Sequence, residues 1–400
     1  MTEHSYPIVK LRPKVDARPI RFGAPWVYAN DLVLDRRTKA LAPGTLAELR
    51  DGAQASLGLV AINPLSQIAV RMIDRDLSAR IDQAWFEARI EAALAHRSRL
   101  YAGPHYRLIH AEADGLPGLI VDRFDDVLVV QPNAAWIERL LEPLVAALQH
   151  VTGATCVMKN AKGRTRGLEG LDDFSDVLIG TAPDAPMAVP MNGATYFADL
   201  TQGQKTGLFY DQRPNHAFAA ALAQDCDVLD VFSHVGGFGL AALAGGARAV
   251  TCVDGSQDAL TLATRGAETM DAEGRFSTRR GDAFDVLQVL SEEGAQFDVV
   301  ICDPPAFAPN KPSLEKGLRA YERVARLAAG LVREGGYLGL CSCSHAADLT
   351  RFSRASNRGI GRAGRRAQLV HTGEAGPDHP KLPQLSESGY LKALFYRILS

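Results

Sequence analysis

The sequence predicts an α/β protein in three parts, with a doubly wound parallel sheet in its C-terminal part. Three observations carry that prediction. From about residue 186 to 400, apolar strand-like runs alternate with helix-like stretches. Residues 1 to about 75 hold only short β-like runs broken by Pro and Gly, the pattern of a small all-β module. Residues about 76–185 mix both element types and read as an α+β middle domain. At 400 residues, two or three domains are the ordinary expectation.

The elements follow in order. Strand-like runs fall at 7–11, 26–28, 45–49 and 68–72. A helix is expected over 82–100, where Trp85, Phe86, Ile90, Leu94 and Leu100 make an apolar stripe. Strands are expected at 106–110 and 127–131, with a Gly-Leu-Pro-Gly turn at 115–118 between them, and a second helix at 136–150. The C-terminal part predicts strands at 228–232, 249–254, 277–280, 297–303, 337–343 and 390–396, and helices at 257–270 and 313–333.

Composition narrows the class. Hydrophobic residues make up 46% and charged residues 22%, as in a folded protein. No apolar run approaches the ~18 residues of a membrane span, and residues 1–7 lack a signal-peptide pattern. The six cysteines show no zinc-like spacing, so no metal site is expected; free thiols in a reducing cytoplasm are. The net charge of -2 argues against indiscriminate nucleic-acid binding, yet it is a cancellation. Residues 1–40 carry a net +4 and residues 351–366 a net +6, so the remainder is acidic. That leaves room for local RNA contacts at the N-terminal module; the arginines of 351–366 read equally as a solvated helix face.

The strand 228–232 runs into Ser233-His234-Val235-Gly236-Gly237-Phe238-Gly239, a glycine turn that lets a ligand approach the backbone. The next strand ends on Asp254, 24 residues after Asp230, an offset suited to binding a ribose diol. The dinucleotide pattern G-x-G-x-x-G is not there. Instead Asp230 sits at the end of the strand, where a carboxylate would repel a pyrophosphate but accept from an ammonium. That favours S-adenosylmethionine, whose methionyl end is a zwitterion. Asp282 and Ala283, after the third strand, are placed to frame an adenine; Asp282 reads equally well as a helix N-cap.

The fourth strand ends in Asp303-Pro304-Pro305-Ala306-Phe307 at the edge where open α/β sheets bind ligands. An amino-group methyltransferase would carry an aromatic directly after the prolines. Here Ala306 holds that place and Phe307 comes one position late. The following strand ends in Cys341-Ser342-Cys343-Ser344-His345, with both thiols expected on one face. A thiolate there could attack carbon 6 of a cytosine and make carbon 5 nucleophilic, with Asp303 stabilising the activated base.

Assembled, these stretches resemble the bacterial large-subunit ribosomal RNA cytosine-carbon-5 methyltransferases. The matching residues are 22–28, 112–119, 203–213, 230–239, 303–307, 341–345 and 376–380. The resemblance implies a PUA domain at 1–75, a middle domain at 76–185 and a class I methyltransferase domain at 186–400, as a homodimer acting on ribosomal RNA. It makes Cys343, rather than Cys341, the nucleophile and Asp303 the acid of the fourth strand. It places Asp230, Phe232, Gly236, Gly237, Asp254, Asp282 and Ala283 at the cofactor, with Phe209 and Arg213 helping to close its site. Many RNA cytosine methyltransferases carry a second cysteine where this chain has Ala306, so the group that releases product is unassigned. A guanine methyltransferase and a non-catalytic RNA-binding assembly factor are the alternatives.

Overall fold

The structure, a computed structural model, describes residues 6–201 and 207–400. The chain forms two compact units. One runs up to Asp184 and takes back Asp378–Ser388; the other holds Ala185–Pro377 and Gly389–Ser400.

The first unit contains two five-stranded sheets. In spatial order the first sheet is Ile8–Lys10, Thr45–Arg50, Ser56–Ile62, Ile68–Asp74 and Trp26–Tyr28. The second runs from Asp176–Ile179 through Cys156–Lys159, Val127–Pro132 and Leu119–Phe124 to His105–His110. The helix Gln83–Leu100 begins at its Asp82 N-cap and buries Trp85, Phe86 and Ile90. Phe86 stacks on Trp136, with centroids 6.0 Å apart. The helix expected over 136–150 is two, Ala135–Arg139 and Leu141–Thr152. Pro143 has no N–H to offer the Arg139 carbonyl, so the first helix cannot continue.

The segment from Asp378 belongs to this unit through buried polar contacts. Asp378 is fully buried and accepts from the Arg107 amide at 3.0 Å and from the Tyr101 hydroxyl at 3.2 Å. Buried Arg97 donates to the Asp378 carbonyl at 2.9 Å while pairing with Asp114 through two bonds of 2.6 and 2.7 Å.

The second unit is the expected doubly wound sheet with one correction. Its seven strands run Phe276–Arg280, Ala249–Asp254, Asp227–Val231, Phe297–Cys302, Val332–Ser342, Lys392–Leu399 and Arg366–Gly373. The first five are parallel. Lys392–Leu399 is antiparallel to both its neighbours, and the edge strand Arg366–Gly373 had no sequence expectation. The helices Ala283–Glu292, Leu314–Gly330 and Leu349–Arg362 share one apolar core with the sheet. The helix expected over 313–333 stops at Gly330, because Val332 already pairs with Phe297.

A hairpin, Met187–Met191 with Ala194–Ala198, opens this unit. Its turn, Asn192-Gly193, has both residues at positive φ (54° and 75°). That is the two-residue geometry whose twist matches paired strands.

The arginine-rich stretch is largely tied down locally. Arg358 and Arg362 both pair with Glu322, and Arg351 pairs with Asp348 at 3.2 Å. Arg365 and Arg366 donate to the Leu399 and Ser400 carbonyls. Among the described residues, no helix is long and apolar enough to cross a membrane.

Candidate active site

The strand Asp227–Val231, third of the seven, has parallel partners on both edges, and its residues from Val228 onward are buried. Asp230 is fully buried on it. Its Oδ2 accepts from the Gly239 amide at 2.8 Å, while Oδ1 is buried with no hydrogen-bond partner among the described residues. Burial pushes its carboxyl up to about 7; the Gly239 amide opposes that shift, and the neighbouring Asp254 adds to it. A half-satisfied buried carboxylate calls for a cationic partner, and the ammonium of S-adenosylmethionine has that chemistry.

The loop after Asp230 is held in unusual backbone. Phe232 and His234 sit at φ of 63° and 51°, and Gly236 at 82°. An aromatic residue in this region is strained, and strain of this kind clusters at ligand sites. Asp254 fixes the loop, accepting from the His234 amide at 2.9 Å and the Ser256 amide at 2.8 Å. Each oxygen keeps a second lone pair for a ribose hydroxyl. Gly237 leads into the helix Gly237–Ala244, and a Cβ there would stand 2.9 Å from the His216 ring. At Gly239 a Cβ would meet Cys252 Sγ at 2.5 Å.

Asp282 is an N-cap, accepting from the Phe284 amide at 2.9 Å and the Asp285 amide at 3.3 Å. Ala283 is buried beside it. Phe209 lies edge-on to His234, with centroids 5.2 Å apart, and so touches the cofactor loop. Arg213 starts the helix Arg213–Ala221, with its guanidinium 5.7 Å from the Tyr210 ring. The 203–206 part of that motif lies outside the described residues.

Asp303 leaves the fourth strand with its amide on the Val231 carbonyl at 3.1 Å. Its Oδ2 accepts from the side-chain amide of Gln212 at 2.9 Å. Phe307 packs on Tyr321, with centroids 5.0 Å apart, and so belongs to the core edge.

Cys343 lies one residue past the strand Val332–Ser342. The expectation that Cys341 and Cys343 share a strand face is therefore corrected: Cys341 is buried, whereas Cys343 is half-buried beyond the strand end. All six cysteines are free thiols. The two serines flanking Cys343 are fully buried and both bond the Tyr321 hydroxyl, at 2.9 Å for Ser342 and 2.7 Å for Ser344. Ser344 Oγ also accepts from the Ala308 amide at 2.9 Å, so one hydroxyl joins the Asp303 loop to the Cys343 loop. Lys392 Nζ donates to the Ser344 carbonyl at 2.7 Å. Burial pulls that ammonium down to about 8, and Cys343 and Asp348 oppose the shift.

Sequence reasoning missed Gln212, Tyr321 and Lys392. Lys392 carried a signal, being the only charged residue in the apolar run 390–396. Gln212 lay inside the 203–213 motif, but nothing in its spacing tied it to Asp303.

The S-adenosylmethionine-dependent methyltransferase family matches residues 110–397, and a PUA-like domain family matches 9–75. A Deinococcus radiodurans protein named ribosomal RNA large subunit methyltransferase is 34% identical, over 98% of each chain. An Alteromonas mediterranea protein named ribosomal RNA large subunit methyltransferase I is 35% identical, over 96% of this chain and 97% of that one. A solved Streptococcus mutans protein described as an S-adenosylmethionine-dependent methyltransferase shares the fold, with a TM-score of 0.81 and 19% identity over 98% of this chain and all of that one. A second solved methyltransferase, in complex with S-adenosylhomocysteine, aligns over 98% of this chain and all of that one, with a TM-score of 0.83 and 19% identity. With a methyltransferase family match over residues 110–397, a PUA-like match over 9–75 and relatives aligned over nearly the whole chain, the protein belongs to the S-adenosylmethionine-dependent methyltransferases that carry an N-terminal PUA-like domain.

Proposed function

We propose that the protein methylates carbon 5 of a cytosine in large-subunit ribosomal RNA through a covalent bond to Cys343. The observation that carries this reading is the placement of Cys343. It is half-buried at the carboxyl end of the strand next to Asp303, on a loop pinned by two buried serines. A merely structural cysteine needs no such support. The names of the relatives supply the RNA.

When bound, S-adenosylmethionine supplies an electrophilic methyl on its sulfonium and leaves as S-adenosylhomocysteine. Asp230 would accept from its ammonium and Asp254 from its ribose, with Phe232, Gly236, Gly237, Asp282, Ala283, Phe209 and Arg213 shaping the rest of that site. Cys343 adds as thiolate to carbon 6 of the ring, and electron density moves to carbon 5. Asp303 hydrogen-bonds the base and stabilises that adduct. Carbon 5 takes the methyl, its proton leaves to a base, the bond to sulfur breaks and aromaticity returns. Residues 1–75 serve as the RNA-docking module, 76–185 as the middle domain and 186–400 as the methyl-transfer module. The same reading gives a cytoplasmic homodimer.

Nucleotide-resolution mapping of 5-methylcytosine in ribosomal RNA tests this, using cells with and without the gene and with Cys343→Ala. One cytosine should lose its methyl in both altered strains. Loss of a methylguanine instead, or full methylation by Cys343→Ala, overturns the reading.

A further inference from the structure

Lys392 opens a strand whose next residues are apolar and buried, and is itself only 7% exposed. Its backbone pairs opposite Ser342. Among the described residues its one hydrogen bond runs to the Ser344 carbonyl at 2.7 Å. Ser342 and Ser344 bracket Cys343, so the ammonium is fixed to the same short loop as the thiol. A buried ammonium bonded only to a carbonyl is costly and is retained where an anion offsets it. The groups whose charge acts on it are Cys343 on the loop and Asp348, which caps the helix Leu349–Arg362. Asp348 already takes the Arg351 amide at 2.8 Å and its guanidinium at 3.2 Å. From the helix Leu314–Gly330, the Tyr321 hydroxyl reaches the same Ser344.

We propose that Lys392 is a positioning residue for Cys343, its ammonium held on the Ser344 carbonyl so that it stabilises the thiolate form of the neighbouring sulfur. The proposal rests on the reading of Cys343 as the nucleophile. Two tasks fall to the one side chain. The hydrogen bond to Ser344 fixes the loop, and the charge favours the anion that attacks. A cation beside a cysteine is a general way of lowering thiol pKa and raising the reactive fraction at neutral pH. No step consumes or releases the lysine's proton: thiol ionisation gives its proton to solvent, and the ammonium is charged below its own value of about 8.

The test needs neither RNA nor cofactor. The full-length protein is alkylated with iodoacetamide between pH 5.5 and 10, and the Cys343 peptide is quantified by mass spectrometry. Wild type, Lys392→Met, Lys392→Gln and Lys392→Arg are compared. The wild-type midpoint should fall below the ~8.5 of an ordinary cysteine. Lys392→Met and Lys392→Gln should raise it by about one unit, slowing alkylation at pH 7 about five- to tenfold, and Lys392→Arg should restore most of the rate. A wild-type midpoint at or above ~8.5 overturns the proposal without recourse to any variant. So does a folded Lys392→Met or Lys392→Gln with the wild-type midpoint. A low midpoint that depends on Lys392, in a protein that methylates no cytosine, would support the pair and sink the proposed reaction, so the two failures are distinguishable.

Discussion

Gln212 holds Asp303. Its side-chain amide donates to Asp303 Oδ2 at 2.9 Å, and its own carbonyl accepts from Asn215 at 2.6 Å. Asn215 in turn donates to the Glu374 carbonyl at 3.1 Å. The acid is thus oriented by a buried chain of amides. On the proposed reaction, Gln212→Ala should lower single-turnover methyl transfer about 10- to 100-fold, because a misplaced Asp303 costs alignment more than binding. Cofactor affinity, measured by calorimetry, should change less than about twofold, since Asp230 and Asp254 are untouched. A large fall in cofactor affinity with unchanged turnover would contradict this role.

On the proposed site, Asp230 should make cofactor binding sensitive to pH. Burial holds its carboxyl up at about 7 in the cofactor-free protein. The ionised form accepts from an ammonium with opposite charge and the protonated form lacks that charge, so affinity should fall as pH drops through 7, by up to about tenfold per unit below it. Calorimetry with S-adenosylmethionine between pH 5.5 and 8.5 checks this. A flat profile would overturn this role for Asp230.

The same carboxyl bears on stability with a definite sign. Its folded value lies above its unfolded one, so its favourable contribution is complete at low pH and lost as pH rises through 7. Above that, the fold buries a charge at a cost of a few kcal/mol. Asp230→Asn should therefore raise the melting temperature of the cofactor-free protein at pH 8 while abolishing cofactor binding. Differential scanning calorimetry should show a larger gain at pH 8 than at pH 5, because the loss builds up between the unfolded value and about 7. This is the stability a ligand site gives up for function.

Much of this site was legible because it lies where strands end. Asp254 and Asp303 end apolar runs and Asp230 interrupts one near its end, and the open α/β sheet puts all three at one edge. The local partners were less visible. Asp282 reads identically in sequence whether it caps a helix or binds a ligand, and the cap is what the geometry displays. The sharing of one face by Cys341 and Cys343 failed because the strand ends at Ser342, and strand boundaries depend on pairing. The turn at Asn192-Gly193 carried a strong hairpin signal, and its strands went unpredicted though the apolar residues flanking it were in plain view. Lys392 and Tyr321 could not be joined to Cys343 at all, because their link crosses three elements distant in sequence.

Gly239 tests how tightly the cofactor loop is packed. A Cβ there would stand 2.5 Å from Cys252 Sγ and 3.3 Å from Asp230 Oδ2. Both neighbours are fully buried on strands of the central sheet and have little room to yield. Gly239→Ala should cost about 1–3 kcal/mol in urea unfolding. It should also weaken cofactor binding, since the helix start must shift away from the Asp230 carboxylate it donates to. Wild-type stability in this variant would mean that the loop relaxes freely.

Tyr321 separates the support of Cys343 from its chemistry. Its hydroxyl meets Ser342 Oγ at 2.9 Å and Ser344 Oγ at 2.7 Å, and all three groups are buried. Tyr321→Phe keeps the ring against Phe307 and Phe352 and removes only that hydroxyl. Two buried serines then lose a partner, at a cost of about 1–3 kcal/mol. Ser344 keeps the Ala308 amide, so the loop should loosen without unfolding. The expected kinetic result is a fall in methyl-transfer rate of about tenfold, with affinity for S-adenosylmethionine preserved. Chemical denaturation and single-turnover assays on the same preparation check both parts. A variant that lost stability but kept its rate would show that the serine network supports the sheet edge and not the thiol.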